Sequence, residues 1–419
     1  MNFFNSKNIR TSSIGSVAIK FFSALSAFIT SVLLARNLGL ESFGVYTLAF
    51  STVMIITIPV TLGLPDLLTR YVSKYFQEGN YSALKGLLIR SNQIVVITTF
   101  IVYILAYISY IFWWNSYEKE IVNTVTFGFL LVPLLALGAI RAAALRGLKF
   151  VILGQLPDTV LRNLFLLGIL SIFIFRDIKL TAVIAMKIHI AAALLAFIVG
   201  AIFLYVKIKG LKSNEKPVFF NKFWINQTLP FGLYSGIKVV KSKLSTYVLA
   251  VFGNVELVAI YEVAMRGATL VIFTLGALNN AIAPYISTEF EKENFSGIQN
   301  IAKKTSRIIF LFSLPVVIVL IFKGDYIIKL IYGNEYLNAY LPLIILCLGQ
   351  LINAMAGSVG LVLNMTGNQS YFTKINFYMI ILNIIFIIPF VIWFDVIGAA
   401  IINAFVLIME KILSLVFLK

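Results

Sequence analysis

The chain has 419 residues, of which 60% are apolar and 12% charged, whereas soluble proteins contain about 45–50% apolar and about 25% charged residues. This composition excludes a soluble globular enzyme. The single cysteine, Cys347, excludes internal disulfides, and the single histidine, His189, excludes HExxH zinc chemistry. The net charge is nevertheless +17, from 34 Lys+Arg and 17 Asp+Glu, so the basic residues either set the topology or take part in the mechanism.

Apolar runs recur along the whole chain, and each is long enough to cross a hydrocarbon core of about 30 Å as a helix. The sequence therefore predicts an all-α polytopic membrane protein. The breaks between the runs contain charged residues or Gly and Asn, and they delimit twelve spans, at 12–36, 43–68, 87–113, 121–145, 152–175, 181–206, 226–252, 257–285, 306–323, 340–365, 371–394 and 397–418. The first of these is longer than the apolar region of a signal peptide and is expected to be retained.

The distribution of Lys and Arg over the two sides of the spans predicts the orientation, because basic loops stay in the cytoplasm. Most basic residues fall on the side of the amino terminus, including the Lys-rich break at 207–223. The opposite side has only Arg36, Lys119, Arg176, Lys179 and Lys329. Both termini are therefore expected in the cytoplasm.

An internal repeat divides the chain into two halves. Residues 71–85 align without gaps on residues 285–299, and each segment follows the second span of its half. With six spans in each copy, the halves have the same orientation in the membrane and are related by an axis along its normal. We therefore expect an amino-terminal six-helix lobe at 1–206, a cytoplasmic basic linker at 207–223 and a carboxy-terminal six-helix lobe at 224–419. The identical pairs are Tyr71/Tyr285, Ser73/Ser287, Phe76/Phe290, Asn80/Asn294 and Ser82/Ser296.

Several cations lie deep within predicted spans, where a Lys or Arg costs about 2.5–3.5 kcal/mol on insertion scales unless it has a partner or a wet cavity. Lys238 and Lys241 share one face of span 7, and that span contains no acidic residue, so either they indicate an anionic ligand or the first turns of the span are interfacial and the two lysines snorkel. Arg141 and Arg146 lie near the inner end of span 4, where their long side chains are expected to snorkel to the headgroups. The six deep cations, which are the candidate ligands of an anion, are Lys20, Arg162, Lys187, Lys238, Lys241 and Arg266.

Three acidic residues precede an arginine by four positions, which places both side chains on one helix face. We expect these pairs to neutralise themselves and to hold helices together, above all the pair at the inner boundary. A buried carboxylate can also carry a coupling proton, so Glu262, Asp158 and Asp66 are candidates for ion coupling. The pairs are Asp66/Arg70, Asp158/Arg162 and Glu262/Arg266.

Four short motifs resemble a known family. The residues LLARNLGLESFGVY at 33–46 and GLPD at 63–66 are similar to the start of polysaccharide-biosynthesis flippases, the Wzx-type O-antigen transporters of the MOP superfamily. GNVELVAIYEVA at 253–264 resembles the element that opens the second half of that family. LNMTGNQ at 363–369 resembles the short turn before its eleventh helix.

The resemblance implies a V-shaped bundle of two six-helix lobes with a cationic central cavity that opens alternately to each side. It implies a transporter without enzymatic activity or cofactor, in the bacterial inner membrane, that flips undecaprenyl-pyrophosphate-linked oligosaccharide to the periplasmic leaflet with or without an ion gradient. The partners that it implies are this anionic lipid-linked oligosaccharide, membrane lipid, a polysaccharide polymerase and a chain-length regulator, but no nucleic acid.

Two other functions fit the composition. A MATE-like multidrug or cation antiporter belongs to the same superfamily, but its cavity should be rich in carboxylates, whereas the deep cations here outnumber the acids. A membrane-embedded polysaccharide polymerase or ligase, which would be an enzyme, typically has a long outer loop, and the predicted outer breaks are all short.

Overall fold

The computed structural model describes residues 6–114, 118–209 and 216–418, which are almost entirely α-helical. They form two compact units. Unit 1 contains the chain up to Leu38 together with Val45–Lys243, and unit 2 contains Gly39–Gly44 together with the chain from Leu244 onward. The division lies at 243/244, whereas the sequence places the boundary between the halves in 207–223.

Unit 1 is built mainly from nine helices. The first, α1, continues past Gly39, whose positive φ of 74° interrupts it, and a π-helical turn at Pro157–Leu161 joins α6 to α7. Its helices are α1 (Ser6–Thr61), α2 (Leu64–Gln77), α3 (Tyr81–Trp113), α4 (Lys119–Gly128), α5 (Leu131–Gly147), α6 (Val151–Leu156), α7 (Arg162–Phe175), α8 (Ala182–Lys209) and the first part of α9 (Asn221–Phe252).

Unit 2 contains the remaining helices. A 3₁₀ turn at Asn334–Ala339 precedes α13, and Asp395, with φ 49°, interrupts the last helix. The helices are α10 (Val255–Val271), α11 (Phe273–Glu291), α12 (Phe295–Ile331), α13 (Tyr340–Ala356), α14 (Val359–Met365) and α15 (Gln369–Val416).

The expected all-α polytopic membrane protein is confirmed, since the described residues include eight helical segments that are long and apolar enough to cross a membrane. Two of them, Ala18–Thr61 and Gln369–Val416, have 44 and 48 residues, about twice the 20 that one crossing needs. Their interruptions at Gly39 and Asp395 coincide with the predicted breaks between spans 1 and 2 and between spans 11 and 12. The charged helices α9 and α10 are not among the eight, so twelve crossings stay a prediction.

The repeated segments form the same turn in both units. Asn80 caps α3 by accepting a hydrogen bond from the Ala83 amide at 3.0 Å, and Asn294 caps α12 in the same way with the Gly297 amide, also at 3.0 Å. The residue before each asparagine has a positive φ. The backbone N–H of each asparagine donates a hydrogen bond to the carbonyl five residues earlier, that of Tyr75 or Glu289, at 2.9 Å in both turns. Local structure therefore supports the sequence repeat.

One helix lies at the centre of each unit. In unit 1, α5 packs against α2, α3, α6 and α8, and its run of small residues lets these helices approach closely. A Cβ atom at Gly147, for example, would lie only 2.7 Å from Cβ of Val72. In unit 2, α13 has the corresponding position, against α10, α12 and α15.

Candidate functional site

Unit 1 contains an open cavity of about 350 Å³. Its charged lining residues are Arg146, Asp158 and Arg162, so we call it the arginine cavity. The polar side chains of Gln155, Thr159 and Ser235 also face it, between the apolar residues of α1, α5 and α9. The lining thus combines an apolar wall with a few polar and cationic groups, as ligand sites usually do.

The π-helical turn positions two of the charged residues. The amide of Arg162 donates to the carbonyl of Pro157, five residues earlier rather than four. Because of this extra residue, Arg162 does not lie directly above Asp158 on the helix surface, as it would in a regular α-helix. Turns of this kind often occur at functional sites.

Asp158 pairs with Arg141 instead of Arg162. Arg141 Nη2 lies 2.6 Å from Asp158 Oδ2, and Arg141 Nη1 donates to the carbonyl of Phe197 at 3.0 Å. Gly138 and Gly200 make room for this pair, since a Cβ atom at Gly138 would lie 2.9 Å from Asp158 Oδ1 and one at Gly200 would overlap the Arg141 guanidinium.

Two sequence predictions about this region are wrong. Arg141 does not snorkel: the residue is only 3% exposed, because its guanidinium is held within the unit by Asp158 and Phe197. The predicted Asp158/Arg162 ion pair is absent from the described part of the chain, because the extra residue in the π-helical turn moves Arg162 away from the position above Asp158.

Arg162 has spare hydrogen-bonding capacity in the arginine cavity. Its Nε atom is buried and has no hydrogen-bond partner among the residues that the structure describes. The buried Tyr46 hydroxyl, by contrast, lies 2.8 Å from Nδ1 of His189, and Phe50 stacks on the imidazole at 4.9 Å. His189 is therefore a packing and hydrogen-bonding residue.

Asp66 also lies beside the cavity, in the first turn of α2. Its Oδ2 accepts a hydrogen bond of 3.1 Å from the hydroxyl of Ser235, which lines the cavity. The expected pairing with Arg70 is wrong: within the described ranges the two residues make no ion pair, and the Arg70 guanidinium lies 5.6 Å from the ring of Tyr71. Asp66 therefore contacts α9 rather than its own helix.

The four predicted lysines lie elsewhere in unit 1. Lys238 is exposed and Lys241 half-buried on α9, close in sequence to the lining residues Ser235 and Val239. Lys20 is exposed on α1. Lys187 on α8 is exposed and lies 4.3 Å from the ring centroid of Phe127, a cation–π contact.

In unit 2, the predicted pair on α10 is formed. Arg266 Nε lies 2.8 Å from Glu262 Oε1, and the Glu262 side chain is 15% exposed. The pair is local to one helix and has the favourable order, with the acid on the amino-terminal side. Its role in ion coupling stays a prediction.

Arg146 is the residue that the sequence missed. It was expected to snorkel, but it is half-buried and lines the arginine cavity together with Arg162. No local spacing connects these two residues, because they belong to α5 and α7. Among the described residues, no group of three or more His, Cys, Asp or Glu side chains could hold a metal ion.

The comparisons with known proteins place the chain in a family. Residues 10–290 match the polysaccharide biosynthesis protein family, and residues 230–388 match the MatE family. A putative O-antigen transporter of Shigella flexneri is 23% identical over 77% of this chain and 77% of its own length. A probable low-salt glycan biosynthesis flippase of Haloferax volcanii is 20% identical over 95% of this chain and 80% of its own length.

Solved structures share the fold. An inward-facing MATE-family multidrug resistance transporter of the MOP superfamily superimposes with a TM-score of 0.76, at 16% identity, over 97% of both chains. A lipid II flippase in an inward closed conformation superimposes with a TM-score of 0.73, at 16% identity, over 97% of this chain and 87% of that one. These matches confirm the resemblance seen in the sequence. The chain belongs to the polysaccharide biosynthesis protein family.

Proposed function

We propose that this protein is a flippase that moves undecaprenyl-pyrophosphate-linked oligosaccharide, an O-antigen or a related repeat unit, from the cytoplasmic to the periplasmic leaflet. The observation that carries the proposal is the arginine cavity, because it offers two guanidinium groups to an anion within an apolar helix bundle. The named functions of the Shigella and Haloferax relatives and the fold of the lipid II flippase support it.

The charge balance of the cavity suits a pyrophosphate. The one lining carboxylate, Asp158, is 2.6 Å from Arg141, so its charge is compensated from outside the lining. Arg146 and Arg162 then face the cavity with net positive charge, although Asp66 beside Ser235 reduces it. Guanidinium–phosphate hydrogen bonds are charge-assisted and gain strength where the local dielectric is low.

The other predicted ligands have different roles in the proposal. Lys238 and Lys241 lie on α9 close to the lining residues Ser235 and Val239, and they would attract the head group or its sugars. Arg162 stays a head-group ligand, and Arg146 joins it. Lys20, Lys187 and Arg266 are weaker candidates, because none of them lines the arginine cavity; Lys187 also contacts Phe127, and Arg266 pairs with Glu262.

For the whole chain we propose twelve membrane crossings in two six-helix lobes, 1–206 and 224–419, with cytoplasmic termini and transport by alternating access. The basic linker 207–223 would then be cytoplasmic. A reporter fused after Asn214, which lies outside the described residues, should read cytoplasmic. In a bacterial inner membrane, a polysaccharide polymerase and a chain-length regulator would act on the transported unit.

Transport can be coupled to an ion through a carboxylate. A proton on Glu262 would neutralise the carboxylate that pairs with Arg266 and so change the net charge of this pair from zero to +1. Asp158 and Asp66 are alternatives in unit 1, but Asp158 is held by a buried arginine and Asp66 by Ser235. We therefore favour Glu262 among the three.

The test is transport in proteoliposomes, with a fluorescent undecaprenyl-pyrophosphate oligosaccharide whose outer-leaflet fraction is measured by chemical quenching. The double variant Arg146→Gln/Arg162→Gln should abolish transport. The control Lys74→Gln/Arg90→Gln makes the same charge change in unit 1 outside the cavity lining and should transport normally. Equal transport by all three proteins would overturn the proposed role of the cavity.

Export of organic cations is the second candidate, because residues 230–388 match the MatE family and a MATE transporter shares the fold. A cation site needs free carboxylate, whereas the one carboxylate that lines the arginine cavity pairs with Arg141. Proteoliposomes that accumulate ethidium under a proton or sodium gradient, and do not move the lipid-linked oligosaccharide, would favour this function instead.

A further inference from the structure

Unit 2 contains a larger open cavity, of about 1130 Å³, at one end of its helices. It lies between three segments: the turn from α11 to α12, the turn from α14 to α15 and the end of α15. The cavity is therefore at the end of the helices where these turns connect them. We call it the α12/α15 cavity. It belongs to neither the arginine cavity nor the Glu262/Arg266 pair, and the proposed transport function does not use it.

The α12 wall of this cavity is cationic. Lys303 and Arg307 are four residues apart, hence on one helix face, and both are exposed. Neither makes an ion pair with a described residue, and none of the described lining residues is acidic. The neighbouring hydroxyl of Ser306 is occupied, because it donates to the Met355 carbonyl at 2.6 Å.

The α15 wall is apolar and open. Leu415, Val416 and Phe417 line it and are 43%, 61% and 51% exposed, and Phe295 faces them from the start of α12 with 65% exposure. Cations are unfavourable on a surface that faces only lipid tails, and this many large apolar side chains are unfavourable on a surface that faces only water. A ligand with an anionic head and a hydrocarbon tail fits both walls at once.

We propose that the α12/α15 cavity binds an anionic phospholipid, with its phosphate between Lys303 and Arg307 and its acyl chains against the end of α15. Basic pockets between membrane helices at the cytoplasmic surface bind such headgroups in general. The lining also contains hydroxyl and amide side chains, among them Ser296, Gln299 and Thr366, which can hydrogen-bond the glycerol part of such a headgroup.

The test uses the purified full-length protein in mixed micelles that contain equal amounts of phosphatidylglycerol and phosphatidylcholine. Native mass spectrometry counts the lipids that stay bound. The wild type should retain phosphatidylglycerol selectively. In Lys303→Gln/Arg307→Gln its affinity should fall about 25-fold, since each basic side chain near the membrane contributes about a factor of five. The matched control Lys292→Gln/Lys304→Gln alters two cations of the same turn and helix that do not line the cavity, and it should bind like the wild type.

A second variant keeps the experiment decisive if the double variant does not fold. Val416→Asn changes an exposed side chain on the apolar wall, so the fold should persist while the retained phosphatidylglycerol decreases several-fold. Equal binding by wild type and both cavity variants would overturn the proposal. Selective retention of added undecaprenyl phosphate over phosphatidylglycerol would overturn it as well, because the occupant would then be the transported class of lipid.

Discussion

Asp158 Oδ2 lies 2.6 Å from Nη2 of Arg141, an arginine seventeen positions earlier on another helix, although Arg162 follows Asp158 by only four residues. Arg141 is almost fully buried, so this ion pair stabilises the contact between α5 and the π-helical turn. It also compensates the negative charge of Asp158, so that this carboxylate no longer offsets the two arginines that line the arginine cavity.

The first prediction concerns this ion pair. Asp158→Asn should lower the free energy of unfolding by about 3–5 kcal/mol, because it leaves the Arg141 charge buried without its partner. The apolar double variant Arg141→Met/Asp158→Leu should recover much of that loss. Thermal unfolding of the purified protein measures both. Arg162→Gln serves as the control, and a loss as large as that of Asp158→Asn would mean that Arg162 is the true partner.

The second prediction concerns the close approach of α9 to the start of α2. Gly63 has φ 78°, and a Cβ atom there would lie 2.7 Å from the Thr228 carbonyl oxygen and would overlap Gly232. Gly79 has a similar φ of 70° with open space around it. Gly79→Ala should therefore cost only the left-handed conformation, about 1–2 kcal/mol, and Gly63→Ala about 1–3 kcal/mol more. Similar melting temperatures for the two variants would show that α9 does not pack tightly against Gly63.

The third prediction concerns a buried amide. Asn383 on α15 is 1% exposed, and neither its Oδ1 nor its Nδ2 atom has a hydrogen-bond partner among the described residues. An unsatisfied buried polar group costs about 1–3 kcal/mol, so Asn383→Leu should raise the thermal stability. Asn376→Leu is the comparison, because Nδ2 of Asn376 donates to the Phe372 carbonyl at 2.9 Å. A lower melting temperature for Asn383→Leu would reveal a partner that this amide needs.

The fourth prediction concerns the α9 lysines. Lys238→Gln/Lys241→Gln should abolish surface polysaccharide in cells, because it removes two positive charges from the proposed path of the anion. Membrane abundance, measured by immunoblot, should stay unchanged. Lys222→Gln/Lys243→Gln makes the same charge change on the same helix and should leave the polysaccharide intact. Full polysaccharide with the first variant would exclude these lysines from the transport path.

The fifth prediction concerns coupling. Glu262→Gln should slow transport in proteoliposomes and reduce its dependence on an imposed pH gradient, because glutamine cannot exchange a proton. Glu256→Gln, on an exposed position in the first turn of the same helix, should behave like the wild type. If Glu262→Gln keeps the full response to the gradient, the coupling site lies elsewhere.

The sequence could predict the features that depend on neighbouring residues. Long apolar runs identified the class of protein, because a helix in lipid must be apolar over about 20 residues. The Glu262/Arg266 pair formed as expected, since a regular α-helix places residues four apart side by side. The identical pair Asn80/Asn294 of the repeat forms the same helix cap in both units, because each turn closes within a few residues.

In unit 1, the tertiary structure decided which charges meet. Asp158 and Arg162 have the same spacing as Glu262 and Arg266, but the π-helical turn at Pro157–Leu161 rotates one side chain away from the other. Arg141 then reaches Asp158 from α5, and Arg146 reaches the cavity beside Arg162. These contacts join residues on different helices, so their geometry depends on how the helices pack and not on any spacing within the sequence.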